Sequence, residues 1–370
     1  MVFFMVFLML IGLETTAATA SWPPLGVCSG RRADNLPPAD EVVNLYKTNG
    51  IGRMRIYDPD QAILQALRGS NIELVIGVRN EEIQSIANSV SSAADWVQNN
   101  ILKYSKDVKF RYIVVGNEVD PNIDEASKFV LLAMQNIYAT LTSSNLQNQI
   151  KVSTAIELNL LGMSYPPSLG SFGPSSIPFI TPIVKFLVDT KAPLLANVYT
   201  YFSYISDSTD IDLPFALFTS QSLKIRDGSF EYQNLFDATL GAIYVALGKV
   251  GGANLEIVIS ESGWPSDGGV AATVENAETY YENLLKHVAK GTPARPNQPI
   301  ETYLFSMFDE NNKGPSEIER HFGLFSPNKQ IKYQISQLLK SSTSGSSSSY
   351  MWREGVMLSF CFSLLFLNYI

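Results

Sequence analysis

Ile257-Val258-Ile259-Ser260-Glu261-Ser262-Gly263-Trp264-Pro265 is a short apolar run that ends on an acid and then meets Gly and Pro. Arg111-Tyr112-Ile113-Val114-Val115-Gly116-Asn117-Glu118 repeats the plan, with an amide placed before the acid. Short runs rich in β-branched residues and apolar at consecutive positions fit strands covered on both faces. Eight such strands are expected, at Leu25–Cys28, Ile51–Tyr57, Glu73–Val78, Arg111–Gly116, Lys151–Ile156, Pro193–Tyr199, Glu256–Ser260 and Thr302–Phe308. Between them, sets such as Ala94-Val97-Ile101-Leu102, Phe129-Val130-Ala133-Met134-Ile137-Leu141 and Tyr280-Tyr281-Leu284-Leu285-Val288 recur at three- and four-residue spacing, which makes one apolar helix face. Gly69 after Gln61–Arg68 reads as a helix stop. Strands alternating with helices predict an α/β fold, a (β/α)8 TIM barrel in a single domain, with a doubly wound open sheet as the alternative. The longest connection, Thr200–Phe230 after the sixth strand, is rich in aromatics, Asp and Ser and is expected to form a small elaboration beside the cleft.

The chain has 370 residues, 46% hydrophobic and 17% charged, so it can bury a large core, and collagen-like, coiled-coil and polar low-complexity classes are excluded. Its ends read differently from its middle. Val2–Leu13 is apolar but too short to span a bilayer, and Ala18-Thr19-Ala20 follows as a small-residue cleavage pattern, so residues 1–20 are expected to be a secretory signal. The barrel domain is expected over 21–340. A Ser-rich spacer over 341–355 holds small residues Ser344-Gly345-Ser346, and an apolar tail over 356–370 closes the sequence, the order of a GPI attachment signal or of another removed propeptide. Removing Met1–Ala20 and Ser347–Ile370 takes Arg353 from the 27 basic residues and Glu14 and Glu354 from the 35 acidic ones, leaving 26 and 33, a net charge of −7. So acidic a surface argues against nucleic acid as a partner. Cys361 falls in the tail and Cys28 would then stand alone, so no internal disulfide is expected; with only His287 and His321, neither is an all-protein zinc site.

In a barrel of this kind the chemistry sits at the carboxyl ends of the strands, and two of those ends carry Glu118 and Glu261. Strands four and seven lie three positions apart around an eight-stranded barrel, so both side chains can reach one cleft. A lone acid after a strand is most often a solvated or capping residue; two on facing strands can divide the roles of acid and nucleophile. Glycosidic bond cleavage needs that division, because one carboxyl must stay protonated while the other is ionised, and unequal burial would separate their pKa values. Asn117 could hydrogen-bond a sugar hydroxyl. Tyr199, Phe202, Trp264 and Phe308, all near strand ends, are candidates to stack on a sugar ring, with core packing as the competing reading of each and packing beneath Glu261 as that of Trp264.

Leu25-Gly26-Val27-Cys28, Asn35-Leu36-Pro37, Arg53-Met54-Arg55-Ile56-Tyr57-Asp58, Ala66–Leu74, Val115-Gly116-Asn117-Glu118-Val119, Ala192–Tyr199, Ser260–Pro265, Phe308-Asp309-Glu310-Asn311 and His321–Phe325 together resemble the plant β-1,3-glucanases of glycoside hydrolase family 17, over Leu25 to Leu339. The resemblance implies a retaining endo-hydrolase of 1,3-β-D-glucosidic bonds in callose or fungal-wall glucan, with Glu118 as general acid/base, Glu261 as nucleophile and their carboxyls about 5–5.5 Å apart. It also implies Tyr57 beside the nucleophile and Glu310, Lys313 and Glu319 as a polar cluster at the eighth strand end, where the residues alone would favour a surface ion-pair group. The expected partner is a β-glucan polysaccharide bound by a monomer, without metal or cofactor, and with a membrane reached only through a lipid anchor. A mixed-linkage 1,3;1,4-β-glucanase and a non-hydrolytic cell-surface glucan-binding protein are the alternatives. Three positions depart from the family pattern: Ser29 where Tyr is usual, Arg79 where Gly-Val-Pro-Asn is usual, and Thr200 where Pro follows Asn-Val-Tyr. All three are expected near the rim, where they would affect subsites and not the two acids.

Overall fold

The computed structural model describes residues 25–335. The segments read above as leader, spacer and tail (1–20, 341–355 and 356–370) lie outside the described residues. Eight strands, β1 Gly26–Cys28, β2 Arg53–Ile56, β3 Glu73–Val78, β4 Lys109–Asn117, β5 Lys151–Ile156, β6 Leu194–Asn197, β7 Ile257–Ser262 and β8 Thr302–Leu304, each pair in parallel with their chain neighbours. β1 also pairs with β8, with Gly26 opposite Tyr303, so the sheet closes into a barrel and the open doubly wound alternative is excluded. All eight expected strands are present: β3 and β5 have the expected bounds, β4 runs longer at both ends and β7 at its carboxyl end, and β1, β2, β6 and β8 are shorter.

Alternation along each strand sorts side chains between two cores. Met54, Ile56, Leu74, Ile76, Ile113 and Val115 point outward into the large cluster shared with the helices. Cys28, Val75, Val114, Ala155, Leu195 and Val258 point inward and form a dry layer across the middle of the barrel. Polar groups lie on either side of that layer. At the amino-terminal end Glu301 accepts from Arg111 Nε (2.7 Å), Tyr112 (3.1 Å) and Tyr303 (2.9 Å), with Arg53 Nη1 at 3.3 Å. Burial works against the Glu301 charge, but Arg111 and Arg53 hold its carboxyl below the ordinary range.

The helices surround the barrel and begin where side chains accept the first free amides. Asp60 caps α2 (Gln61–Ala66) through Ala62 N and Ile63 N, and Thr273 caps α10 (Val274–Val288) through Asn276 N. Between these run α3 (Ile83–Asn88), α4 (Val90–Val97), α5 (Val130–Ser143), α6 (Ile177–Thr190) and α9 (Leu235–Lys249), with α1 (Ala39–Thr48) after β1. The elaboration after β6 comprises α7 (Thr200–Ser206), α8 (Leu213–Ala216) and a hairpin of Ile225–Asp227 with Phe230–Tyr232, gathered on a small core of Phe215, Tyr232 and Ala238. No helix among the described residues is long and apolar enough to cross a membrane.

Candidate active site

Glu118 follows β4 in a left-handed backbone conformation (φ 54°), after Gly116 at φ 84°. A left-handed residue other than Gly costs roughly 1–2 kcal/mol, so the surroundings must hold it in place. They do so by hydrogen bonds. Glu118 N donates to Ala155 O of β5 at 2.9 Å, and Asn80 clamps Asn117 twice, its Oδ1 accepting from Asn117 N and its Nδ2 donating to Asn117 O, both at 3.0 Å. The register against β5 shifts between Val114 and Asn117, which turns the Asn117 and Glu118 side chains toward the barrel mouth.

On β7 a second register shift, between Ile259 and Glu261 against β6, lets successive residues serve the interior. Ser260 Oγ donates to Asn197 Oδ1 at 2.7 Å, while the buried Glu261 carboxyl accepts from Arg55 Nη1 (2.9 Å) and Tyr57 OH (2.8 Å) on one oxygen and from Tyr199 OH (2.6 Å) on the other. Three donors thus converge on the Glu261 carboxyl, one of them the Arg55 guanidinium. Burial first, then Glu261, pushes the Tyr199 phenol well above its ordinary value, so it stays a donor. Arg55 is the hub: 1% exposed, it also reaches Asn197 Oδ1 (3.1 Å), Ser260 O (2.8 Å) and Asn117 Oδ1 (2.6 Å).

One amide links the two acids. Asn197 Nδ2 donates to Glu118 Oε1 at 2.8 Å while its Oδ1 accepts from the same Arg55 nitrogen that binds Glu261. Among the described residues, Glu118 has no ion pair of its own. Burial, and next the charge of Glu261, push its carboxyl up to about 7, with the Asn197 hydrogen bond opposing. The pair therefore offers a carboxyl that is protonated at mildly acidic pH beside a carboxylate.

Both acids line two adjoining cavities of about 570 and about 620 Å³. The cavities share Glu118, Glu261, Phe305, Lys313 and Glu319, so they are two arms of one cleft that meet at the acids. Tyr199, Phe202 and Phe322 wall one arm; Tyr57, Asp58, Arg79 and Glu310 wall the other. Lys313 pairs with Glu319 at 3.1 Å and sits 4.0 Å from the centre of the Phe305 ring. Glu310 is buried, accepting from Arg32 N at 2.6 Å, and burial raises its carboxyl above the usual range.

A sequence model of glycosyl hydrolases family 17 matches residues 25–337. The chain belongs to that family. A glucan endo-1,3-beta-glucosidase of Vitis vinifera is 56% identical over 335 residues, covering 90% of this chain and 97% of its own length. The basic isoform of Phaseolus vulgaris is 51% identical over 311 residues, covering 84% and 89%. Among solved structures, one of two plant beta-glucan endohydrolases with distinct substrate specificities is 46% identical with a TM-score of 0.80, over 83% of this chain and 98% of that one. The beta-1,3-glucanase and pollen allergen CJP38 of Cryptomeria japonica is 45% identical with a TM-score of 0.81, over 84% and 98%.

For this family 17 chain the barrel brings Glu118, Glu261, Tyr57, Asn117, Tyr199, Phe202, Glu310, Lys313 and Glu319 to one cleft. Two expected stacking residues it places elsewhere. Trp264 is fully buried, its Nε1 donating to Ala271 O at 2.9 Å and its ring against Tyr201, Tyr204 and Tyr280, so no face is open to a sugar. Phe308 is 3% exposed and packs on Phe325. Asn117 Oδ1 is taken by Arg55 and Asn197. Of the three departures only Arg79 reaches the rim: Ser29 is buried, its N–H donating to Arg55 O, and Thr200 is buried with Oγ1 on Ala216 O. Arg55, Asn197, Phe305 and Phe322 carry site roles that no strand-end argument assigned. A charged residue inside an apolar strand was the available signal for Arg55.

Proposed function

We propose that this chain hydrolyses internal β-1,3-glucosidic bonds with retention of configuration, Glu118 acting as acid/base and Glu261 as nucleophile. The observation that carries the reading is a cleft continuing on both sides of two unequal carboxyls, one raised to about 7 and the other fixed by three donors. A polymer lying through both arms puts an interior bond over the acids. Glu118 gives its proton to the leaving glycosidic oxygen while a Glu261 oxygen attacks C1, forming a glycosyl ester and losing its negative charge. The repulsion that helped hold the Glu118 proton is then gone, so Glu118, now ionised, can take a proton from the water that attacks C1 and releases Glu261. Arg55, Tyr57 and Tyr199 hold the attacking carboxylate in one orientation throughout.

The names of the relatives support β-1,3-glucan as substrate. The test is reducing-sugar release and product size on a linear β-1,3-glucan and on a mixed-linkage 1,3;1,4-glucan, with the first anomer followed by NMR. Expected are a range of oligosaccharides from the former, β-anomer first, and loss of turnover in Glu261→Gln. Initial α-anomer would refute retention, preferential cleavage of the mixed polymer would move the reading to that linkage, and unchanged turnover in Glu261→Gln would remove its role. We further read residues 1–20 as a secretory leader and Ser344–Ser346 as a lipid-attachment site holding a monomer at the cell surface, where callose and wall glucans lie. Release of activity from membranes by a phosphatidylinositol-specific phospholipase is the expected result; activity that stays with the membrane or never associates with it would overturn the anchor.

A further inference from the structure

We propose that Arg79 and Asp58 form an outer sugar-binding subsite of the cleft arm that contains Tyr57, a subsite that rests on the β-glucan reading above. Arg79 follows β3 directly and Asp58 follows β2 by two residues. These strands pair in register, with Ile56 opposite Ile76, so the two loops stand side by side. Arg79 Nε lies 3.0 Å from Asp58 Oδ2, and both side chains are well exposed, 55% and 39%, on the wall of the cavity that reaches Glu118 and Glu261. An ion pair so exposed contributes at most about 1 kcal/mol to stability, so the fold has little need of it. The backbone that carries Arg79 is nonetheless tied in place. Glu82 N donates to Arg79 O at 3.0 Å, and the next residue, Asn80, is the double clamp on Asn117 beside Glu118. The pair is thus tied to the strand end that carries one of the two acids.

The chemistry matches a neutral sugar. A guanidinium has five N–H donors, of which this ion pair uses Nε, and a planar fork suited to two neighbouring oxygens. A carboxylate beside it accepts from hydroxyls. A glucose unit offers hydroxyls that accept and donate at once, so donor and acceptor side by side can bind one unit without any charge on the ligand. At position 79 the family pattern has Pro, which has no side-chain donor; the guanidinium is an addition to the cleft wall.

The experiment measures kcat/KM on linear β-1,3-gluco-oligosaccharides of increasing length for wild type, Arg79→Ala, Arg79→Lys and Asp58→Asn, with thermal melts as the control for folding. In the wild type kcat/KM should rise steeply at the length that first reaches this subsite. In Arg79→Ala and Asp58→Asn that rise should shrink by about tenfold, the worth of one charge-assisted hydrogen bond, and Arg79→Lys should resemble Arg79→Ala because it lacks the fork. An equal loss at every length, or an unchanged rise, would overturn the subsite while leaving the glucanase reading intact. Calorimetry of the same ladder with Glu261→Gln and with Glu261→Gln/Arg79→Ala separates the two ideas: no binding of any oligosaccharide, with no cleavage by wild type, would sink both.

Discussion

Replacing Glu118 by Gln removes a charge that the folded chain is penalised for carrying. Burial and Glu261 raise this carboxyl from 4.5 to about 7. The native state therefore keeps a proton, between those two values, that the unfolded chain has released. By linkage, wild-type stability falls as pH rises through that window and the loss is complete above about 7; below about 4.5 both states are protonated and no penalty exists. At 1.36 kcal/mol per unit the full penalty is roughly 3 kcal/mol. Gln keeps the carbonyl that accepts from Asn197 Nδ2 and cannot ionise. Glu118→Gln should therefore match wild type in Tm near pH 4.5 and exceed it at pH 8 by roughly 4–5 °C for a domain of this size, while turnover is lost at every pH. Scanning calorimetry of both proteins across that range is the assay. A Tm difference that does not change with pH, or a variant less stable than wild type at pH 8, would refute the reasoning that burial and Glu261 hold the proton on Glu118.

Hydrolysis of β-1,3-glucan should decline as pH rises through about 7, where Glu118 loses its proton; an alkaline limb several units higher would place the general acid elsewhere. Tyr199→Phe removes the donor at 2.6 Å from Glu261 and should lower kcat about tenfold with little change in KM, whereas an unchanged kcat would free Tyr199 from that task. Arg55→Ala leaves Glu261, Asn117 and Asn197 without their shared donor and should cost about 3–5 kcal/mol in urea melts as well as most of the activity; a variant of native stability would contradict its role as hub. Trp264→Ala should cost about 3–5 kcal/mol with KM of the folded enzyme unchanged, and a raised KM at native stability would return the indole to the cleft.

The barrel was legible because its strands are apolar at consecutive positions and its helices repeat at three and four residues, two periods that local sequence carries. Glu118 and Glu261 were legible because each ends such a strand. What local sequence does not carry is direction after a register shift. Trp264 and Phe308 follow strand ends as Tyr199 does, yet both turn into the shell between barrel and helices, and nothing in their spacing separates them from Tyr199. Arg55 escapes the same reasoning because it sits inside a strand, and Asn197 because the run Pro193–Tyr199 continues past it in sequence although β6 ends there; polar residues so placed read as interruptions until the barrel closes and brings β2, β4, β6 and β7 onto one guanidinium. Thr200 and Ser29 look like rim substitutions in sequence, and only packing reveals that neither reaches solvent.

The dry layer of Val75, Val114, Leu195 and Val258 separates the Arg55 network from the Glu301 cluster at the far end of the barrel. Each cluster draws its hydrogen bonds from its own end of the barrel, Arg53, Arg111, Tyr112 and Tyr303 around Glu301 at one, and Asn117, Asn197, Ser260 and Glu261 around Arg55 at the other. Changes among Arg53, Arg111 and Glu301 will be felt first in how firmly the staves are fastened, and they leave in place the donors that hold Glu261.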